Sequence, residues 1–127
     1  MARLFWICLG GAAGTGARYL LSGWVLAALG PAFPWGTLAV NTLGSFLLGA
    51  IMHVALTTRL LAPTLRLALT AGVLGGFTTY STFNYETLES LRAGAWTIGI
   101  ANVAATVVGC LAAGAAGLAL ARWWLGA

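Results

Sequence analysis

The sequence predicts an all-α membrane protein with four transmembrane helices, the third of them broken near its middle. Three observations carry that prediction. Hydrophobic residues fill 61% of the 127 positions and charged residues only 6%, against roughly a quarter charged in an ordinary soluble domain. Four apolar stretches, each long enough for the about 20 residues that cross a hydrocarbon core, fit without overlap at approximately 4–29, 36–56, 65–91 and 94–125. The breaks between them hold prolines, arginines and tryptophans, residues of loops and membrane interfaces. This length supports a single four-helix domain, 1–127.

The first span opens after Arg3 and overruns the short apolar core of a secretory signal. It carries Arg18 and no cleavage pattern, so it reads as mature structure. Its Gly10 and Gly14 suit close helix approach. Gly30-Pro31-Ala32-Phe33-Pro34-Trp35 then forms a short interfacial loop. In the second span Thr37, Asn41 and Ser45 recur every four residues and share a face, with Gly44 and Gly49 as packing residues. His53 lies near the end of this span, at the interface. After Thr57 to Pro63 the third span begins, with Pro63 placed to restart a helix. The fourth follows Arg92 to Gly94, carries Asn102, Thr106 and Cys110 on one face, has Gly109, Gly114 and Gly117 for packing, and ends in the anchor Arg122-Trp123-Trp124.

Within the third span, Gly75-Gly76-Phe77-Thr78-Thr79-Tyr80-Ser81-Thr82-Phe83 is poor lipid-facing sequence. Glycine permits non-helical backbone angles, and hydroxyl side chains compete for the backbone groups so released, so a break is expected at Gly75–Thr79. Non-helical backbone at this depth survives only where protein buries it or a watery cavity lies beside it. In transporters such breaks host ions. A serine and threonine kink without a ligand is the alternative. The polar stripes of the second and fourth spans are, one at a time, ordinary interhelical hydrogen bonding. Set beside a broken third helix, they suggest a lined conduit.

The lining also has a sign. No carboxylate precedes Glu86, whereas an anion would meet hydroxyl protons, amide groups and the positive ring edges of Phe77, Tyr80 and Phe83. Glu89 reads as a solvated charge, while Glu86, near the membrane, needs a partner or a task. Arg18 is its candidate counter-charge.

Several classes are excluded by composition. There are no lysines and no basic run among the six arginines, so no nucleic-acid partner is expected. Cys8 and Cys110 lie in apolar stretches and read as small buried residues, not as a disulfide. One histidine and two glutamates cannot assemble a nucleophile, a base and an orienting group, so the chain is not expected to be an enzyme. An even number of spans places both termini on one side with Arg3, Arg59, Arg66 and Arg122, against Arg92 and Arg18 on the other. That bias favours cytoplasmic termini and is small enough to leave insertion in both orientations open.

Gly10, Gly11, Gly14 and Arg18 in the first span are joined by Pro34-Trp35-Gly36-Thr37-Leu38, Val40-Asn41, Gly44-Ser45-Phe46 and Gly49, and by the Gly75 to Phe83 stretch with Glu86. Together these motifs resemble the Fluc family of fluoride channels, also called CrcB, over essentially the whole chain. The resemblance implies an antiparallel, dual-topology homodimer in the plasma (inner) membrane of a prokaryote, surrounded by lipid and letting fluoride leave the cell passively. It further implies a structural sodium ion held by the backbone carbonyls of Gly75 and Thr78, and a paired phenylalanine box mapped to Tyr80 and Phe83. Asn41 resembles the family's pore asparagine. Asn102, Thr106 and Cys110 fall where relatives carry a polar track of tyrosine and serines, and Thr79, Ser81 and Thr82 complete the expected fluoride pathway. Tyr80 and Cys110 depart from the pattern, the first by adding a hydroxyl and the second as a weaker donor than serine. A small four-helix, proton-coupled drug exporter is the rival of similar length, but it needs a carboxylate in the first span, which has none. A structural subunit would account for the glycines and not for three aligned polar features.

Overall fold

Four helical rods, one of them segmented, make up the chain in a computed structural model that describes residues 1–126. Helix α1 spans Ala2–Leu29 and α2 spans Trp35–Thr57. The third rod is assembled from α3 (Pro63–Leu67), a π-helical stretch (Ala68–Leu74), α4 (Gly75–Phe77) and α5 (Tyr80–Arg92), and α6 spans Trp96–Leu125. Pro63 stands in the first turn of α3, where its missing amide costs nothing. At the far end Gly94 takes a φ of +77°, a left-handed conformation that ends α5, so the fourth rod starts at Trp96 and not at residue 94.

Two helices, α2 and α6, are long and apolar enough to cross a bilayer, and only 17% and 11% of their most apolar stretches are buried inside the chain. The interior is correspondingly inverted. Among the described residues the buried apolar side chains are Val40, Leu74, Phe77, Phe83 and Ala121, while six threonines and asparagines are buried with them: Thr37, Asn41, Thr79, Thr87, Asn102 and Thr106. Large apolar residues such as Trp24, Val108, Leu111 and Trp124 face outward. A water-soluble protein is built the other way round.

Glycines set how the rods meet. Helix α1 packs on the third rod and α2 packs on α6. A side chain on Gly14 would overlap the Val73 carbonyl, and one on Gly76 would overlap the carbonyl of Gly11. In the other pair, Gly117 lies against the Phe46 carbonyl and Gly49 against that of Gly114, again without room for a Cβ. Backbone meets backbone at both seams, as small residues permit in helices that lack a hydrophobic drive to associate. Cys8 is exposed, not buried as its apolar neighbourhood suggested, because the stripe of α1 that meets the third rod runs through Ile7, Gly10 and Gly14 and leaves Cys8 off that face. Cys110 is half-buried, and both thiols are free.

Candidate functional site

The third rod supplies the centre of the site. Across Gly75–Thr79 the two glycines and Phe77 keep helical backbone, and only Thr78 (φ −86°, ψ 158°) and Thr79 (φ −151°, ψ 111°) are extended. Glycine flexibility is therefore not what frees the backbone here; the two threonines leave the helix where side chains from three directions receive them. Thr79 caps α5, its Oγ1 accepting from the Thr82 amide at 3.2 Å and donating to Thr82 Oγ1 at 2.9 Å. From α2, Asn41 Oδ1 accepts from the Thr79 amide at 2.7 Å and its Nδ2 donates to the Thr79 carbonyl at 3.0 Å. An amide hydrogen can only meet an oxygen, so this pair fixes which way the Asn41 side chain points. From α1, Arg18 Nη1 donates to the Thr78 carbonyl at 3.2 Å.

These straps release one further group. In a continuous helix the Thr79 amide would close on the Gly75 carbonyl; bonded to Asn41 instead, it leaves that carbonyl without its helical partner. Gly75 and Thr78 both line an open cavity of about 530 Å³. Asn41, Thr79, Tyr80, Phe83, Thr106 and Cys110 line it too. Gly44 is the reason Thr78 can sit there, since a Cβ on Gly44 would overlap the Thr78 methyl. The sequence marks Gly44 as a packing residue, three positions after Asn41, and carries no sign that it faces Thr78.

The predicted residues separate into those the cavity gathers and those it does not. Tyr80 is 78% exposed on the open face and Phe83 is 8% exposed beneath it, their ring centroids 5.6 Å apart and inclined by 58°. Phe77 is buried and does not line this cavity, because the extended Thr78 and Thr79 cancel the helical register that would have aligned it with the other two rings. Thr106 and Cys110 reach the cavity, Cys110 with its sulfur 4.0 Å from Thr42 Oγ1. Asn102, only 1% exposed, instead donates to Thr87 Oγ1 at 2.9 Å and accepts from Thr106 at 3.4 Å, joining α6 to α5. Ser81 is exposed, its hydroxyl 3.4 Å from that of Thr79, and Thr82 faces a second cavity of about 710 Å³ that it shares with Arg18, Thr37 and Glu86.

Arg18 and Glu86 face that second cavity without forming an ion pair. Arg18 is taken by the Thr78 carbonyl, and Glu86 Oε1 accepts from Thr37 Oγ1 at 2.8 Å. The one ion pair among the described residues joins Arg92 to Glu89 at 3.6 Å on the surface. Among the same residues no three His, Cys, Asp or Glu side chains cluster, so any cation held here would rest on carbonyl and hydroxyl oxygens.

Residues 5–118 match the sequence pattern of a family described as "CrcB-like protein, Camphor Resistance (CrcB)". A protein of Sorangium cellulosum named fluoride-specific ion channel FluC is 60% identical over 122 residues, 96% of each chain. One of the same name from Anaeromyxobacter dehalogenans is 57% identical over 126 residues, covering 99% of this chain and 100% of its own. A third, from Geobacter sulfurreducens, is 52% identical over 122 residues, 96% of this chain and 98% of its own.

Proposed function

The chain belongs to the CrcB family, and on that footing we propose that it is a fluoride-selective channel of a prokaryotic plasma membrane, not an enzyme, through which the anion leaves the cell passively. The observation that carries the reading is the strapped break at Thr78–Thr79, seated in a cavity lined by Asn41, Tyr80, Phe83, Thr106 and Cys110. Fluoride in this lining meets the hydroxyl protons of Ser45 and Tyr80, the Asn41 amide hydrogen that Thr79 leaves unused, and the ring edges of Tyr80 and Phe83. A small, strongly hydrated anion needs such closely placed donors to replace its water, and several weak stations to let it go again. Ser81 and Thr82 extend the donors toward the second cavity, Thr79 holds Thr82 in place with its own hydroxyl, and Asn102 supports Thr106 from behind.

The open face is the reason to invoke a second copy. An open cavity between α2, the third rod and α6, with Tyr80 exposed beside it, would become a conduit once an antiparallel partner closed it. A structural sodium ion fits the same region in one respect: the Gly75 carbonyl has lost its helical amide, and the Thr78 carbonyl, with two lone pairs, has one left beside the Arg18 bond. Those two carbonyls would hold the ion, which would supply a fixed positive charge between the subunits. Purified protein in liposomes should release fluoride far faster than chloride when efflux of the two is followed with ion-selective electrodes. Equal leaks, or none, would sink the channel reading.

A further inference from the structure

At the end of the bundle that holds the Gly30–Pro34 loop and the α5–α6 turn lies a separate cavity of about 550 Å³. The sequence contains two acidic side chains, and both line this cavity, Glu86 half-buried and Glu89 exposed. Three aromatic residues stand around them: Phe33 and Trp35, with ring centroids 4.7 Å apart, and Tyr85. We propose that this cavity binds the ammonium headgroup of a membrane phospholipid.

Charge, shape and depth each support that occupant. Arg92 is the one cation paired with either acid, at 3.6 Å from Glu89 with its side chain 81% exposed, so the two acids outnumber it and the lining is net negative. Aromatic rings attract an ammonium over their faces, and rings beside carboxylates make a site for an organic cation that a bare metal ion, with its firmly held water, would not prefer. Glu86 has a use for such a partner. Its Oε1 accepts from Thr37, but its Oε2 is buried with no donor among the described residues. Turning the carboxylate so that Oε2 meets an ammonium proton exchanges the single neutral bond from Thr37 for a charge-assisted one. The surrounding elements are those of a membrane interface, a proline-flanked loop, Trp35 at the start of α2 and the end of α5, so the cavity opens at the depth where headgroups lie.

The inference is independent of the ion conducted, and its test reads lipid and not fluoride. Detergent-solubilised protein, equilibrated with equal amounts of phosphatidylethanolamine and phosphatidylglycerol of the same acyl chains, is to be stripped stepwise and weighed by native mass spectrometry. Phosphatidylethanolamine should be retained over phosphatidylglycerol on the order of fivefold, the ratio that one partly desolvated cation–π contact sustains. The Glu86→Gln, Glu89→Gln double variant should lose the preference, and Tyr85→Leu, which leaves every charge in place, should weaken it. If the double variant fails to fold, Tyr85→Leu with Trp35→Leu decides. Equal retention of the two lipids by the wild-type chain, or a preference the folded variants keep intact, overturns the assignment; so does displacement of both lipids alike by free ethanolamine.

Discussion

Replacing Asn41 tests the structure at its most connected point. The side chain holds both the amide and the carbonyl of Thr79, and Thr79 is itself buried. If those groups could find other partners, the loss would follow the membrane average of about 0.6 kcal/mol per interhelical bond, or about 1 kcal/mol for two. If they cannot, two buried groups left unpaired cost about 2–6 kcal/mol. The geometry selects the second regime: with Thr78 at ψ 158° the Thr79 amide has turned away from the Gly75 carbonyl, its helical alternative. Asn41→Ala should therefore destabilise the fold by at least about 2 kcal/mol, roughly 30-fold in the folding equilibrium. Asn41→Asp keeps an acceptor for the amide and forfeits the donor to the carbonyl, so it should cost less stability. It places a negative charge in the proposed anion path, however, and should suppress fluoride efflux more than its stability loss explains. Denaturation of the purified variants, with electrode-recorded efflux from liposomes, separates the two effects. An Asn41→Ala protein as stable and as conductive as the wild type would refute the reasoning.

Two other substitutions probe different parts of the same account. Phe83→Ile keeps an apolar volume but removes the ring edge, and should abolish most fluoride flux while the purified protein keeps its oligomeric size on gel filtration; unchanged flux would remove Phe83 from the pathway. Gly14→Val would drive a branched side chain into the Val73 carbonyl, and overpacking of this kind costs about 1–3 kcal/mol or more. Its signature is a lowered unfolding midpoint, and wild-type stability would mean that α1 does not pack on the third rod at this glycine.

How far the sequence could be read depended on the kind of signal. Long apolar stretches located the four rods, because a span is a long, redundant pattern that no single residue decides. The polar faces were legible for the same reason: Asn41, Thr106 and Cys110 follow the helical repeat and do reach one cavity. Asn102 follows the same repeat yet turns to Thr87 on α5, and a repeat along one helix carries no information about which neighbour a broad face meets. Spacing failed outright across the break, where Phe77, Tyr80 and Phe83 look like one stripe and only the last two share a surface. The π-helical stretch Ala68–Leu74 had no sequence mark at all. It lies where α1 comes closest, with Gly72 set against Ile7 and Gly10, so its cause is packing between rods and not local propensity.

The inverted interior and the break are connected. A helix that opens inside a membrane must have its freed amides and carbonyls satisfied by protein, since lipid offers nothing. Here the satisfying groups come from separate rods: Arg18 of α1 takes the Thr78 carbonyl, Asn41 of α2 takes the Thr79 amide and carbonyl, and the Thr79 hydroxyl takes the Thr82 amide. Each strap would be futile if the rods stood further apart, and the glycine seams at Gly14 with Val73 and Gly44 with Thr78 bring them within reach. Buried threonines and asparagines are thus the counterpart of an open helix, and close-set glycines are the condition for both. The result is backbone fixed from several directions, and under the proposed channel function it holds the second Asn41 amide hydrogen in place before a small, strongly hydrated anion arrives.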